Sequence, residues 1–211
     1  MTDITLLGHS AVKLVDGNKT LVLDPGLFSD LNVLEAANAV LITHGHADHV
    51  AASALVNVAA DVWAPEDVVV QLEEAGCAPN RLHAVGPGET FTAAGFKVEV
   101  IGGQHAQIYP GLPSSGNNGY LIDGKVLHTG DSLAPVSDPT AVEILLLPVA
   151  APWLLLADAI NYARGHEKAI VLPIHDGILS APGKQLTDNV LTAILGANIY
   201  KRPAQEETVS I

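Results

Sequence analysis

The segment His44-Gly45-His46-Ala47-Asp48-His49 directly follows the run Ala39-Val40-Leu41-Ile42-Thr43, and this junction constrains the fold more than any other stretch of the chain. The run reads as a buried, central strand. The six residues after it set three imidazoles and a carboxylate at the strand's end, and three of the chain's nine His are here. Imidazole nitrogen and carboxylate oxygen are the donors that borderline divalent metals such as Zn²⁺ take. The fold must therefore open a central strand onto a metal site.

Three further donors follow apolar strands: His105 after Val98–Gly103, Asp131 after Val126–Gly130, and His175 after Ile170–Ile174. In extended chain alternate residues point the same way, so His44 and His46 can face one metal, and Gly45 lets the backbone pass close. Asp48 and His49 are expected to begin a helix over 48–58, offset in direction and suited to a second metal. One ion would take His44, His46 and His105. The other would take Asp48, His49 and His175, with Asp131 bridging. Two such ions hold a bridging water and lower its pKa towards neutral. The resulting hydroxide attacks a carbonyl carbon or a phosphorus. Asp48 is the catalytic candidate, placed to orient that hydroxide or carry its proton. The expected cofactors are two divalent ions, Zn²⁺ first, with Mn²⁺ or Fe²⁺ suiting the same N/O donors.

The rest of the chain reads as one domain over residues 1–211. Its 48% hydrophobic and 16% charged content argues for a folded globular protein. Strand-like runs fall at 4–7, 11–15, 20–23, 39–43 and 61–64, then at 81–85, 90–93, 96–101, 119–123, 125–129, 143–147 and 169–173. Asp16-Gly17-Asn18 and Asp123-Gly124 are hairpin signals. Helices are expected over 66–75, with Pro65 at its start and Gly76 at its end, over 154–164 and over 184–195. A loop over 102–117, rich in Gly, Pro and Ser, is long enough to suggest a binding role. Two groups of strands with interspersed helices predict two β-sheets packed face to face with helices outside.

A formal net charge of −13 disfavours nucleic acid and anionic membrane as partners. The single cysteine, Cys77, excludes an intrachain disulfide and reads as a small buried side chain. Met1-Thr2-Asp3-Ile4 has no signal-peptide pattern. The longest apolar run, 144–157, is broken by Pro148 and Pro152 and falls short of the ~20 residues of a membrane span. The expected setting is cytoplasmic, with a small-molecule substrate and an open oligomeric state, a homo-oligomer included.

His44-x-His46-x-Asp48-His49, His105, Asp131 within His-Thr-Gly-Asp-Ser, and His175 resemble the metallo-β-lactamase superfamily, as does Asp24 within Leu-Val-Leu-Asp-Pro-Gly. The resemblance runs from about Ile4 to Asp176. It implies an α+β fold, a four-layer αβ/βα sandwich of two mixed sheets with the metals at one edge. Leu7-Gly8-His9-Ser10 is similar to the small bacterial branch of ascorbate-6-phosphate lactonase-like and related metal-dependent hydrolases. Flavodiiron oxygen reductases of the superfamily carry Glu where this chain has His46, so the donor set favours redox-inert hydrolysis. Its nucleases add an inserted domain or exosite arm, for which this chain has neither room nor a basic segment. The antibiotic-hydrolysing members often carry Cys at the position of Asp131.

Around this set, Asp24 is expected to hydrogen-bond a ligand imidazole or order the motif loop. His9 is expected to approach the metals or a substrate, and Asn117 to stand behind a ligand or meet the substrate. His128 reads as structural, His83 and His166 as surface residues. Trp153 and Tyr109 are pocket-wall candidates. The function expected is a dinuclear metal-dependent hydrolase of a small lactone, ester or phosphoester. The alternatives are a catalytically silent metal-binding sensor or scaffold, and a nuclease.

Overall fold

The computed structural model describes residues 1–112, 114–204 and 207–211. Of the loop over 102–117, Pro113 lies outside these described residues. Two mixed sheets carry the fold. In the first, β1 (Asp3–Leu6), β2 (Val12–Asp16) and β3 (Lys19–Leu23) form an antiparallel meander. Then β4 (Ala39–Leu41), β5 (Asp61–Ala64) and β6 (Leu82–Ala84) continue in parallel from β3. In the second, β7 (Thr90–Ala93), β8 (Phe96–Gly102), β9 (Asn118–Ile122) and β10 (Val126–His128) are antiparallel. Strands β11 (Ile144–Pro148) and β12 (Ile170–Ile174) extend it in parallel from β10.

The parallel strands β4, β11 and β12 are apolar on both faces, as strands covered on both sides must be. In β4, Ala39 and Leu41 enter the core between the sheets, while Val40 turns outward. In β11, Ile144 and Leu146 face inward, and Leu145 and Leu147 outward. The outer face of the first sheet is covered by α1 (Ala52–Leu55) and α2 (Glu66–Glu74), which bring Leu55, Val68 and Leu72. Helices α3 (Leu156–Arg164) and α4 (Ala181–Leu195) cover the second with Ala159, Ile160, Ala163 and Leu191. These are the four layers of the αβ/βα sandwich. No helix among the described residues is long and apolar enough to cross a membrane.

Three expectations need correction. The helix expected over 48–58 is a single turn, α1, and residues 46–50 instead form a tight turn in which His49 and Val50 both donate to the His46 carbonyl. The cause is a second chain segment. Leu27 N–H donates to Ala47 O at 2.8 Å and Ala51 N–H to Pro25 O at 3.0 Å, so the 24–27 segment takes the backbone groups that a longer helix would use. Next, the strands do not divide cleanly by halves: β13 (Thr208–Ser210) returns to pair with β1. It is too short and polar to show an apolar pattern. Finally, His166 is buried, its Nδ1 2.9 Å from the Tyr162 carbonyl at the end of α3. Cys77 is buried as expected, in the core beneath α2.

Candidate metal centre

Each of the seven candidate ligands, with His9 and Asp24, stands beyond the C-terminal end of a strand. His9 follows β1, Asp24 follows β3, and the 44–49 turn follows β4; His105, Asp131 and His175 follow β8, β10 and β12. Parallel pairing of β3 with β4, and of β10 with β11 and β12, aligns several of these ends along one edge of the sandwich.

There the side chains fall into two groups, His44, His46, His105 and Asp131 in one, and His9, Asp48, His49 and His175 in the other, each with donor atoms within 4.8 Å of one another. His9 joins the second group, and Asp131 is counted with the first. Asp131 lies between the groups: its Oδ1 is 3.1 Å from both His49 Nε2 and His175 Nε2, and its Oδ2 is 3.2 Å from His105 Nε2. In the first group His44 Nε2 and His46 Nδ1 come to 3.0 Å.

A ring of partners aims these donors. Asp24, fully buried, accepts at Oδ1 from the Thr43 N–H and at Oδ2 from both the Thr43 hydroxyl and His49 Nδ1, each at 2.7 Å. With its proton given to Asp24, the Thr43 hydroxyl is left to accept from His44 Nδ1 at 3.0 Å. His105 Nδ1 donates to Ala106 O at 2.6 Å and His175 Nδ1 to Ala150 O at 2.5 Å. Four imidazoles thus spend Nδ1–H on the scaffold and turn Nε2 inward, the usual way that outer partners set a ligand's tautomer. Asp131 is held in turn by Trp153, whose indole N–H donates to its Oδ2 at 2.9 Å, and by Asn117, whose Oδ1 accepts from the Asp131 N–H at 2.9 Å. Asn117 therefore stands behind Asp131. His128, read as structural, donates from Nε2 to Ser10 O at 2.9 Å and accepts from Gly130 N–H at Nδ1.

His9 contacts Asp48. Its Nδ1 accepts the Gly177 N–H at 3.0 Å, which leaves the proton on Nε2, and Nε2 donates to Asp48 Oδ2 at 3.0 Å. Backbone geometry marks the same residues: His9, Asp24 and His175 hold φ of 50°, 44° and 59°, a left-handed conformation that non-glycine residues keep only when their surroundings impose it.

Charge within the cluster is unevenly shared. Burial disfavours the charged form of His49, but the carboxylates of Asp24 and Asp131 outweigh it and raise its pKa to about 10. Burial, with the neighbouring charge of His49, pushes His44 down to about 2. Burial also opposes ionisation of Asp131, yet the close imidazoles of His105, His175 and His49 hold it well below the usual carboxylate range. Asp48 is depressed as well, the hydrogen bond from His9 and the nearby His49 overcoming the effect of burial.

Gly26 shows how tightly the turn is packed. A Cβ there would stand 1.9 Å from the Asp48 carbonyl oxygen. Backbone cannot yield as a flexible side chain would, so Gly26→Ala is expected to destabilise the fold by about 2 kcal/mol, typical of overpacking, and to weaken metal binding by displacing Asp48 and His49. Urea denaturation and a zinc competition titration measure both; wild-type values in both would show that the turn tolerates the shift.

Residues 3–175 match the family model of the β-lactamase superfamily domain. The chain belongs to the metallo-β-lactamase superfamily. Within and beyond that superfamily match it is 31% identical to protein Rv0786c of Mycobacterium tuberculosis, over 96% of this chain and 97% of that protein. It is 27% identical to a UPF0173 metal-dependent hydrolase of Anoxybacillus flavithermus, over 82% of this chain and 84% of the relative. Among solved structures, Igni18, a metallo hydrolase of the archaeon Ignicoccus hospitalis, shares the fold with a TM-score of 0.71 at 21% identity, covering 99% of this chain and 97% of its own.

Proposed function

We propose that this member of the superfamily, a metal-dependent hydrolase, works with two divalent ions on a small-molecule lactone, ester or phosphoester. One observation carries the reading. His49 Nε2, His105 Nε2, His175 Nε2 and Asp131 Oδ1 are buried polar atoms without a hydrogen-bond partner among the described residues, and all three nitrogens stand 3.1–3.2 Å from a carboxylate oxygen of Asp131. Buried polar atoms are normally paired, and each one left alone is expensive. Four together, all nitrogen and carboxylate oxygen, fit a divalent cation better than they fit any arrangement of the bare side chains.

His44, His46 and His105 would hold one ion and Asp48, His49 and His175 the other, with Asp131 offering one oxygen to each. Zn²⁺ suits these donors best, and Mn²⁺ or Fe²⁺ would also be accepted. Such a pair supplies a water acidified to near neutral pH and polarises the oxygen under attack. The chain's own part is placement. Asp24, Ala106 and Ala150 fix the imidazole tautomers. Asp48, whose side chain is 25% exposed, is the carboxylate of the cluster most open to solvent, and it orients the attacking water or takes its proton. Its contact with His9 keeps it ionised for that role.

Metal analysis of the purified protein, followed by a screen of esters, lactones and phosphodiesters with Zn²⁺- and Mn²⁺-loaded protein, tests the reading. Two ions per chain and metal-dependent turnover are expected. Less than one ion per chain in well-folded protein would overturn it, and full loading without turnover on any substrate would mark a metal-binding scaffold.

A further inference from the structure

We infer that the part of the substrate remote from the reacting bond is uncharged and apolar, and that it lies against the loop between β8 and β9. The inference rests on the hydrolytic reading above and adds the substrate class. A cavity of about 290 Å³ is lined by His46 and His105 and by loop residues that include Gln107, Ile108, Leu112 and Ser115. Among the seven candidate ligands His46 alone is exposed, so this cavity is the open side of the cluster. Its size is at the low end for small-molecule sites, roughly 300–1,000 Å³.

The chemistry of the wall selects the occupant. Among the described residues no Lys, Arg, Asp or Glu lines it, so a charged group on the substrate tail would lose water and gain no counter-charge. Lys184 and Arg202, which share a different cavity with His9, are already paired with Asp176 and Asp188. Apolar side chains stand at the rim instead. Ile108 and Leu112 are 45% and 51% exposed, an unfavourable state for large aliphatic groups unless something covers them. Across the cluster Phe28, 55% exposed, sets its ring edge against His9 at 5.4 Å. The polar points that border the cavity are neutral: Gln107, Ser114 and Ser115, of which the Ser115 hydroxyl oxygen is buried and has no hydrogen-bond partner among the described residues. It can meet one neutral oxygen or N–H of the substrate. Continuity of this wall with two candidate ligands distinguishes it from a surface for a protein partner, which would not need to reach His46 and His105.

The test is calorimetric binding of alkyl hydroxamates, which chelate zinc through a common head, to the zinc-loaded protein. From acetohydroxamate through butyro- to hexanohydroxamate, affinity is expected to rise by up to about fourfold per methylene buried. A hexano chain ending in a carboxylate is expected to bind at least tenfold more weakly than its neutral counterpart. Leu112→Asp, and the milder Leu112→Ser, are expected to flatten the series with zinc content retained. A flat series in the wild type, or equal affinity for the carboxylate-ended chain, would overturn the inference. Its failure is separable from that of the hydrolytic reading. Ester turnover indifferent to chain length would sink the apolar cavity alone, whereas a steep binding series without turnover would sink hydrolysis alone.

Discussion

Asp131→Ala is expected to abolish tight metal binding while leaving the fold in place. Asp131 is the one residue whose two carboxylate oxygens face different groups of imidazoles, Oδ1 towards His49 and His175 and Oδ2 towards His105. Removing it withdraws a donor from both proposed ions and unlinks them. Loss of an outer partner usually weakens a metal site by about 10–100-fold, and a shared inner donor exceeds that range. We expect more than a hundredfold loss of zinc affinity, and no detectable turnover. The fold is expected to persist because the three hydrophobic cores lie away from this edge and Asp131 belongs to none of them. Competition against a chelating dye reads the affinity, and far-UV circular dichroism the fold. Two ions per chain retained by the variant would refute the bridging role. His46→Ala offers a milder contrast, since His46 serves one group only and is exposed.

The second large effect is on stability. Asp24→Ala removes a fully buried carboxylate that accepts three hydrogen bonds at 2.7 Å. The variant leaves the Thr43 amide and hydroxyl and the His49 Nδ1 without their acceptor. It also strips His49 of the carboxylate that does most to raise its pKa. Breaking a buried pair from one side typically destabilises by about 3–5 kcal/mol, and we expect a loss in that range for the metal-free chain. Metal affinity is expected to fall by about 10–100-fold as well, because the tautomers of His44 and His49 are no longer set. Asp24→Asn restores one acceptor for Thr43 but offers N–H₂ where His49 needs an oxygen, so it is expected to recover stability only in part. Urea denaturation with and without zinc separates the two effects. Unchanged midpoints in Asp24→Ala would show that the buried network contributes nothing.

Much of this architecture can be read from residues alone, for a physical reason. Strands such as β4, β11 and β12 are buried on both faces, so they appear as uninterrupted apolar runs. Donors at the ends of several strands gain meaning together with the 44–49 cluster, which is why His105, Asp131 and His175 stand out as a set. What stays hidden depends on partners distant in sequence. The 46–50 turn replaces a helix because residues 24–27 pack on it, and no local propensity encodes that contact. The Trp153 bond to Asp131 and the His9 bond to Asp48 likewise join strand ends that only the finished sheets bring together. His166 reads as a surface residue after Gly165, yet it turns back onto the end of α3.

The position of the cluster also has a consequence for assembly. Its members come from both sheets and span residues 9 to 175, so no short fragment of the chain contains a complete set. Contacts of such long range form late and slowly. During synthesis His175 reaches its group only once β12 has docked beside β11, so the second group of donors is the last to be complete. An early encounter with metal therefore finds the first group at most, and full loading becomes a timestamp for a chain in which β12 is already in place.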